Sequence, residues 1–190
     1  MNVLFVGPQG SGKGTQAKRV AAAEGIPHIA TGDIFRAAIS EQTELGKQVQ
    51  PYLDSGSLVP DELTIGLIRE RLQRPDTARG FVLDGFPRNM AQAHALDEML
   101  AEIGRPLTAV VEFALADEIA IERCLGRAAE EGRPDDTPQV IAKRLSIYHE
   151  QTEPIVEHYR AAGTLVVIRA ERSIEEVNAE LGRALQQASA

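Results

Sequence analysis

Five short runs of apolar residues are spaced along the chain, and longer segments with helical periodicity separate them. The runs are almost continuously hydrophobic, which is typical of strands buried on both faces of a sheet. The candidate strands are residues 2–6, 27–29, 80–83, 107–113 and 164–168. Because strands that alternate with helices form βαβ units, the pattern predicts an α/β fold with a central parallel sheet of five strands flanked by helices.

Three local signals mark where helices begin or bend. Thr137 followed by Pro138 is typical of an N-cap residue and the first helical position. Ser173 with Glu176 three residues later forms a capping box, so a final helix should begin there. Pro154 lies inside the long helical pattern that Thr137 opens, and it should kink that helix because proline lacks a backbone donor.

Two segments depart from the alternation of strands and helices. Residues 31–60 contain two or three short helical patterns with no strand between them, which indicates a helical insertion. Residues 126–136 (GRAAEEGRPDD) are polar and turn-rich, and they join two helices. We expect both segments to move, because segments with few core contacts open most easily.

Length, charge and cysteine usage narrow the classes of function. A chain of 190 residues should form one domain with a substantial core. Its net charge of −8 argues against nucleic-acid and membrane partners. The single cysteine, Cys124, excludes an internal disulfide and a cysteine-based structural zinc site, and we expect it to be a buried thiol. The N-terminal apolar run is too short for a signal peptide, and no stretch has the length of a membrane span, so we expect a soluble cytoplasmic protein.

A glycine-rich loop between the first strand and a helix predicted over residues 16–24 carries the strongest chemical signal. Residues 7–15 read GPQGSGKGT, close to the phosphate-binding loop pattern. Glycines let the backbone N–H groups turn inward around a polyphosphate, the helix N-terminus adds positive charge, and Lys13 adds a full charge. Gly14 stands where the general pattern has Ser or Thr, and Thr15 follows it. The alternative is a glycine-rich loop that binds nothing.

A second motif follows the third predicted strand. Residues 81–88 read FVLDGFPR, so Asp84 falls at the carboxyl end of a strand, where open α/β sheets bind their ligands. A carboxylate at this point can hold Mg²⁺ directly or through a water molecule, and we expect the water-mediated form. The alternative is that Asp84 only caps the following turn. With a phosphate-binding loop beside it, we favour the metal role.

Four motifs together resemble the adenylate kinase family, in order along the whole chain: the loop GPQGSGKGTQ, TGD at residues 31–33, DGFPR at 84–88 and GRPDD at 132–136. The resemblance implies a P-loop NTPase fold, Mg²⁺-dependent transfer of a phosphoryl group from ATP to AMP, and a monomer. It also implies a core of residues 1–29, 60–125 and 137–190, a monophosphate-binding insert of residues 30–59, and a short lid of residues 126–136.

The resemblance implies three sets of site residues. Those expected on ATP are Gly10, Ser11, Gly12, Lys13, Gly14, Thr15, Arg123, Arg127 and Arg172. Those expected on AMP are Thr31, Arg36, Ser57, Leu58, Val59, Gly85, Phe86, Pro87, Arg88, Gln92, Arg133 and Arg144. Those expected to act in catalysis, by binding the phosphates and stabilising their charge, are Lys13, Arg88, Arg127, Arg133 and Arg144.

Within these sets, the resemblance gives some residues a more specific role. Thr31 is expected near the AMP base, Arg36 on the AMP phosphate, and Gln92 at the edge of the base. Arg123 is expected against the adenine of ATP, and Arg172 is expected to contact ATP through its backbone. Many members of the family carry their loop proline at the position of Gln9, whereas this chain carries it one position earlier, at Pro8. The sequence does not explain the role of Gln9.

The environment of Arg144 follows from helical periodicity. On the helix that Thr137 opens, Arg144 borders an apolar stripe of Ile141, Leu145 and Tyr148, so its side chain should be partly buried. A partly buried guanidinium needs an anion. We expect Asp135 or Asp136 to supply it in the open state and a substrate phosphate after closure.

Three other functions compete with adenylate kinase activity. A UMP/CMP kinase shares both loop motifs but usually has Ala in place of Thr31 and often Asn in place of Gln92. A P-loop GTPase switch needs an Asn-Lys-x-Asp element, and the chain has no Asn-Lys pair. A non-catalytic nucleotide-binding protein is disfavoured because every charged motif position is filled.

Overall fold

The computed structural model describes residues 1–131, 133 and 135–189, without the side chain of Glu131. Gly132 and Pro134 of the predicted lid motif, and Ala190 of the predicted core, lie outside the described residues. The sheet has five strands in the order β2-β3-β1-β4-β5, all parallel. The strands are β1 Asn2–Val6, β2 His28–Ala30, β3 Phe81–Asp84, β4 Ala109–Ala114 and β5 Leu165–Arg169.

The sheet predicted from the apolar runs is confirmed, although four strands end one residue later than predicted. The same four strands also begin one or two residues later than predicted, and backbone pairing continues for one position beyond each predicted end. Ala30 pairs with Asp84, and Ala114 pairs with Arg169. This extra position places the Asp84 carboxylate at the end of β3.

Nine α-helices are described between and around the strands. They are α1 Lys13–Glu24, α2 Thr31–Ser40, α3 Glu44–Ser55, α4 Asp61–Leu72, α5 Met90–Glu102, α6 Asp117–Glu131, α7 Pro138–Ile147, α8 Glu153–Ala161 and α9 Ile174–Ala188. A 3₁₀ turn spans Pro75–Thr77, and a π-helical segment spans Tyr148–Thr152. Among the described residues, every helix is too short or too polar to span a lipid bilayer.

Two predicted helix boundaries are wrong. α1 begins at Lys13 rather than at residue 16, because Gly12 adopts a left-handed conformation (φ 82°) that leads the loop directly into the helix. α6 continues to Glu131, so the first six residues of the segment predicted to be turn-rich are helical. Those residues, GRAAEE, are mostly good helix formers, and no proline occurs before position 134.

The predicted helix starts are confirmed. The Thr137 hydroxyl accepts a hydrogen bond from Val140 N at 3.3 Å, and Ser173 and Glu176 form a reciprocal capping box. The interruption expected at Pro154 takes the form of the π-helical segment just before it, after which α8 begins.

The two faces of the sheet are covered by separate apolar clusters. Leu4, Leu83 and Val110 belong to the cluster under α4, α5 and α8, while Val3 and Val82 belong to the cluster under α1 and α9. All five are completely buried, as expected for strands covered on both faces.

Two smaller clusters lie beside the sheet. The helical insertion predicted over residues 31–60 is confirmed as α2 and α3, and its Phe35, Val49 and Val59 form a small cluster of their own. Cys124 is a buried free thiol, as predicted, and it packs with Ile141 between α6 and α7.

Candidate active site

A cleft of about 690 Å³ opens at the carboxyl ends of the central strands. Its floor is the glycine-rich loop together with Asp84. The helical insertion contributes Thr31 and Arg36 to one wall, and α6 and α7 contribute Arg127 and Arg144 to the other. Residues from three distant parts of the sequence thus face one cavity at the position where open α/β sheets bind ligands.

The glycine-rich loop folds around the side chain of Lys13. Its Nζ donates hydrogen bonds of 2.7 Å to the carbonyls of Gly7 and Pro8, and lies 3.2 Å from Ser11 Oγ. Burial of the ammonium lowers the pKa of Lys13 to about 8, although the nearby Asp84 carboxylate opposes this shift. The lysine charge is therefore desolvated at the glycine-rich loop, which favours binding of an anion there.

Asp84 is ionised at the end of β3. Its Oδ2 lies 3.3 Å from His28 Nε2 on the neighbouring strand. Burial acts to raise the pKa of Asp84, but the His28 hydrogen bond and the Lys13 charge outweigh it and lower the pKa. Within the described residues, no group of three or more His, Cys, Asp or Glu side chains is arranged to hold a metal. A cation at Asp84 would thus depend on substrate phosphates and water for its other ligands.

Two buried aspartates hold the arginines that line the α6–α7 wall. Arg127 Nη2 lies 2.6 Å from Asp136 Oδ2, and Arg144 binds Asp135 at 2.6 Å and Asp136 at 3.1 Å. Arg36 from the insertion lies 3.9 Å from Asp135. Burial would raise the pKa of Asp135, but hydrogen bonding to Arg144 prevails and lowers it. The prediction that Asp135 or Asp136 supplies the anion for Arg144 is confirmed, and both carboxylates do so.

Arg88 is held rigidly at the centre of the cleft. Its Nε donates to the Gly85 carbonyl at 2.8 Å, its backbone N donates to Gln92 Oε1 at 2.8 Å, and its carbonyl accepts from Thr152 Oγ1 at 2.7 Å. Burial, followed by repulsion from Arg144, lowers the pKa of Arg88 to about 10, so it stays charged at neutral pH. Arg88 and Arg144 both line the cleft, so these two cations face the same space.

Gly85 allows the insertion to approach the end of β3. Its φ is 79°, and a Cβ atom at this position would lie 2.8 Å from Thr31 Oγ1 and 3.1 Å from Arg88 Nη2. The Thr31 hydroxyl donates to the Gly85 carbonyl at 2.8 Å. A side chain here would separate Thr31 from Arg88, which explains the glycine.

Gln92 is fixed by a residue that sequence analysis missed. Asp61 Oδ1, at the start of α4, accepts hydrogen bonds from Gln92 Nε2 at 2.7 Å and from Asn89 Nδ2 at 2.9 Å. Gln92 is 2% exposed and lines the cleft. Asp61 lies 31 positions before Gln92, and its only sequence signal is an acidic residue in the first turn of a helix, which is too common to identify it.

Most of the other predicted site residues line the cleft, and two do not. Those that line it are Gly10, Ser11, Gly12, Gly14, Thr15, Ser57, Leu58, Val59, Pro87, Arg123 and Arg133. Phe86 is completely buried in the core instead. The Arg172 side chain pairs with Glu180 outside the cleft, while nearby Ile174 lines it. Arg123 donates to the carbonyls of Ala170 at 2.8 Å and Glu171 at 3.2 Å, which ties α6 to the end of β5.

Comparison with known proteins identifies the family. The family model described as adenylate kinase matches residues 5–164. An adenylate kinase from Stenotrophomonas maltophilia is 47% identical over 186 residues, which cover 98% of this chain and all of the relative. One from Thermobifida fusca is 50% identical over 186 residues, 98% of each chain, and one from Streptomyces avermitilis is 44% identical over 218 aligned residues, 100% of this chain and 99% of the relative. The chain therefore belongs to the adenylate kinase family, the phosphotransferases that move a phosphoryl group between ATP and AMP.

Proposed function

We propose that the cleft binds ATP and AMP end to end, and that the terminal phosphoryl group of ATP passes to AMP within it to give two molecules of ADP. The observation that carries this proposal is the convergence of Lys13, Arg36, Arg88, Arg127 and Arg144 on one cavity. Lys18, Arg123 and Arg133 also line the cleft, which makes eight cationic side chains, against the carboxylates of Asp33, Asp84 and Glu130 in the lining and the paired Asp135 and Asp136. This excess of positive charge suits the phosphates of two nucleotides. A switch protein that binds a single nucleotide would not need the arginines of both walls.

The ATP subsite in this proposal lies over the glycine-rich loop and against α6. Backbone N–H groups of residues 10–15 and the Lys13 ammonium bind the phosphates. Arg123 and Arg127, four residues apart on one face of α6, border the same space. Arg172 was predicted to contact ATP through its backbone; because its side chain points away, only that backbone contact is retained in the proposal.

The AMP subsite lies between the insertion and the end of β3. Arg36 and Arg88 bind its phosphate, with Arg133 and Arg144 approaching from the other wall. Thr31, Gln92 and the segment of residues 57–59 surround the base. Asp61 occupies one N–H of the Gln92 amide, and the second N–H is the group that we assign to the edge of the adenine.

The three-part organisation predicted from the sequence fits this arrangement. We propose a core of residues 1–29, 60–125 and 137–190, an insert of residues 30–59 and a lid of residues 126–136, with α6 running into the lid. The apolar cluster of the insertion supports its movement as a unit, since it packs largely on itself.

Transfer in this site depends on position and charge rather than on a general base, because the AMP phosphate is already an anion. The attacking oxygen must lie in line with the terminal phosphorus, and the arginines and Lys13 stabilise the charge that spreads over the oxygens. Asp84 would hold Mg²⁺ through water, and the bound ion would neutralise charge on the ATP phosphates. The ionised state and the position of Asp84 fit this role.

Asp135 and Asp136 exchange partners during the cycle. They neutralise Arg127 and Arg144 while the cleft is empty, and substrate phosphates take over those arginines on binding. The cost of releasing each buried ion pair is then offset by a charge-assisted hydrogen bond to phosphate. Closure of the lid and the insert excludes water, which would otherwise compete with AMP for the phosphoryl group. A monomeric state and a cytoplasmic location remain predictions from the sequence and the family resemblance.

A coupled assay of ADP formation tests the proposal. Purified protein with ATP, AMP and Mg²⁺ should form ADP, and the rate should fall to background when AMP or the metal is omitted. Replacing AMP by UMP, CMP or GMP should lower kcat/KM by at least about 100-fold, because a site that hydrogen-bonds one base leaves buried groups unpaired with another. ADP release from ATP alone at a comparable rate, or a preference for a pyrimidine acceptor, would contradict it.

A further inference from the structure

Gln9, at the tip of the phosphate-binding loop, connects that loop to α7. Its Nε2 donates a hydrogen bond of 2.8 Å to the carbonyl of Ile141, 132 positions later in the chain. Ile141 is 1% exposed and Gln9 lines the cleft, so this bond is partly buried and lies at the edge of the cleft. No motif predicts the contact, because it joins a loop and a helix from opposite ends of the sequence.

The other end of the same side chain reveals an energetic cost. Because the Ile141 carbonyl only accepts hydrogen bonds, the nitrogen end of the Gln9 amide must face it. Oε1 is then buried, and among the residues that the structure describes, no group donates to it. A buried acceptor without a donor costs about 1–3 kcal/mol, a cost that an apolar side chain of similar size would not have. Rules of local stability are most often broken at functional positions.

The neighbouring residue shows that the loop tip touches both helices next to the lid. A Cβ atom on Gly10 would lie 2.6 Å from the Ala120 carbonyl and 3.2 Å from Cys124 Sγ, so the loop presses directly on α6. Ala120 and Cys124 pack with Ile141 in one small cluster. The loop that is expected to carry the ATP phosphates is thus seated on α6 through Gly10 and on α7 through Gln9.

We propose that Gln9 is a positioning residue, which ties the phosphate-binding loop to α7 and thereby sets where Arg144 meets the phosphate in transfer. This inference rests on the proposed function, since it assigns a role within that reaction. Arg144 follows Ile141 by three residues, about one helical turn, so a shift of the Ile141 carbonyl also shifts Arg144. A misplacement of about 1 Å is enough to cost on the order of 100-fold in rate.

Gln9→Met separates this role from a merely structural one. Methionine keeps the length of the side chain but removes both the donor and the buried unpaired oxygen. We expect kcat to fall about 10- to 100-fold, KM for ATP and AMP to stay within about twofold, and the melting temperature to stay the same or rise. Gln139→Met, at an exposed position on the same helix α7, is the control and should leave kcat unchanged.

A double-mutant cycle with Arg144→Lys tests whether Gln9 acts through Arg144. If it does, Gln9→Met should lower kcat by less than about threefold in the Arg144→Lys background, because the two effects are coupled. The inference is overturned if the losses in kcat from the two substitutions multiply fully in the double variant. It is also overturned if kcat of Gln9→Met stays within twofold of the wild type, or if KM for ATP rises while kcat stays normal. If the Met variant does not fold, Gln9→Glu serves instead, since it keeps the shape but faces the Ile141 carbonyl with an acceptor.

The wild-type assay, run in parallel, distinguishes a failure of the proposed function from a failure of the role assigned to Gln9. A wild type that forms no ADP from ATP and AMP contradicts the proposed function. An active wild type with an equally active, folded Gln9→Met variant contradicts only the role of Gln9.

Discussion

Arg144 Nη2 donates a hydrogen bond of 2.6 Å to Asp135 Oδ2, and the side chains of this pair are only 19% and 6% exposed. The pair joins α7 to the segment before it, in the wall of the cleft. A buried guanidinium that loses its anion is left with an uncompensated charge, whereas an exposed pair has water to replace its partner. The stability of the empty enzyme should therefore depend on this contact.

Asp135→Asn should lower the free energy of unfolding by about 2–4 kcal/mol at pH 7, because Arg144 would keep only part of its neutralisation. Urea unfolding measures the change. Asp76→Asn is the matched control, since Asp76 also binds an arginine, Arg71, at 2.6 Å, but its side chain is 54% exposed; its effect should be much smaller. Equal effects of the two substitutions would contradict the importance of burial.

The same pair predicts a dependence on pH. The pKa of Asp135 is lowered in the folded state, so its charge stabilises the fold above the ordinary aspartate pKa, and the contribution is lost as the pH falls through the folded pKa. The difference between wild type and Asp135→Asn should thus be largest near neutral pH and shrink below roughly pH 4. If the difference in unfolding free energy between the wild type and Asp135→Asn stays constant down to acid pH, the charge of Asp135 is not what stabilises the fold.

Lys13→Met should abolish turnover and yet raise stability. The pKa of Lys13 is lowered from 10.5 to about 8 by burial, so the folded state binds fewer protons than the unfolded state between these values, and stability contributed by this group rises with pH. Below about pH 8 the buried charge destabilises the empty fold in full. We expect the melting temperature of Lys13→Met to exceed that of the wild type by at least about 2 °C at pH 7.

The gain in melting temperature from Lys13→Met should shrink as the pH rises from 8 towards 10.5, where the wild-type lysine becomes neutral. Lys47→Met, at an exposed lysine paired with Glu44, is the control and should show no such trend. A variant that melts below the wild type at pH 7 would show that the hydrogen bonds of Lys13 to the loop outweigh the cost of burying its charge.

The fold was predictable because its signals are local. Residues 3–6 are apolar without interruption, and the capping box of Ser173 and Glu176 predicts the start of α9 from four consecutive residues. The end of α6 is harder to predict, because residues 126–131 combine a polar composition typical of loops with good helix propensity. The hydrogen bonds of Asp61 to Gln92 and of Gln9 to Ile141 could not be predicted from local sequence, since in each case the partner lies far along the chain. The position of Phe86 in the core likewise depends on packing around the end of β3.

Arg88→Ala should lower kcat by about two to four orders of magnitude while changing KM for ATP only slightly. Arg88 is anchored through Gly85, Gln92 and Thr152, so its charge is placed before substrate arrives and acts mainly in the transition state. Steady-state kinetics measure both constants. Arg71→Ala, at the surface pair with Asp76, should behave as wild type. Near-normal turnover of Arg88→Ala would contradict its assignment.

Asp61→Ala should weaken the selection of AMP over other monophosphates. Without the Asp61 carboxylate, the Gln92 amide keeps its bond from Arg88 N but loses the bond that its nitrogen donates, and Asn89 loses the same partner. We expect KM for AMP to rise about tenfold and the preference for AMP over UMP to fall by a similar factor, with KM for ATP unchanged. Glu62→Ala, an exposed neighbour on α4, is the control. A normal preference for AMP in the Asp61→Ala variant would contradict the role of Asp61 in selecting the base.

In the proposed function, two nucleotides lie end to end across cations of the glycine-rich loop, the insert, α6 and α7. Isothermal titration calorimetry with a compound that joins two adenosines through five phosphates tests it directly. We expect one molecule bound per chain, at least about 100-fold more tightly than ATP or AMP alone, because one ligand spans both subsites, and a weaker complex with Arg88→Ala. Binding of two molecules per chain, or an affinity no greater than that for ATP, would contradict the account.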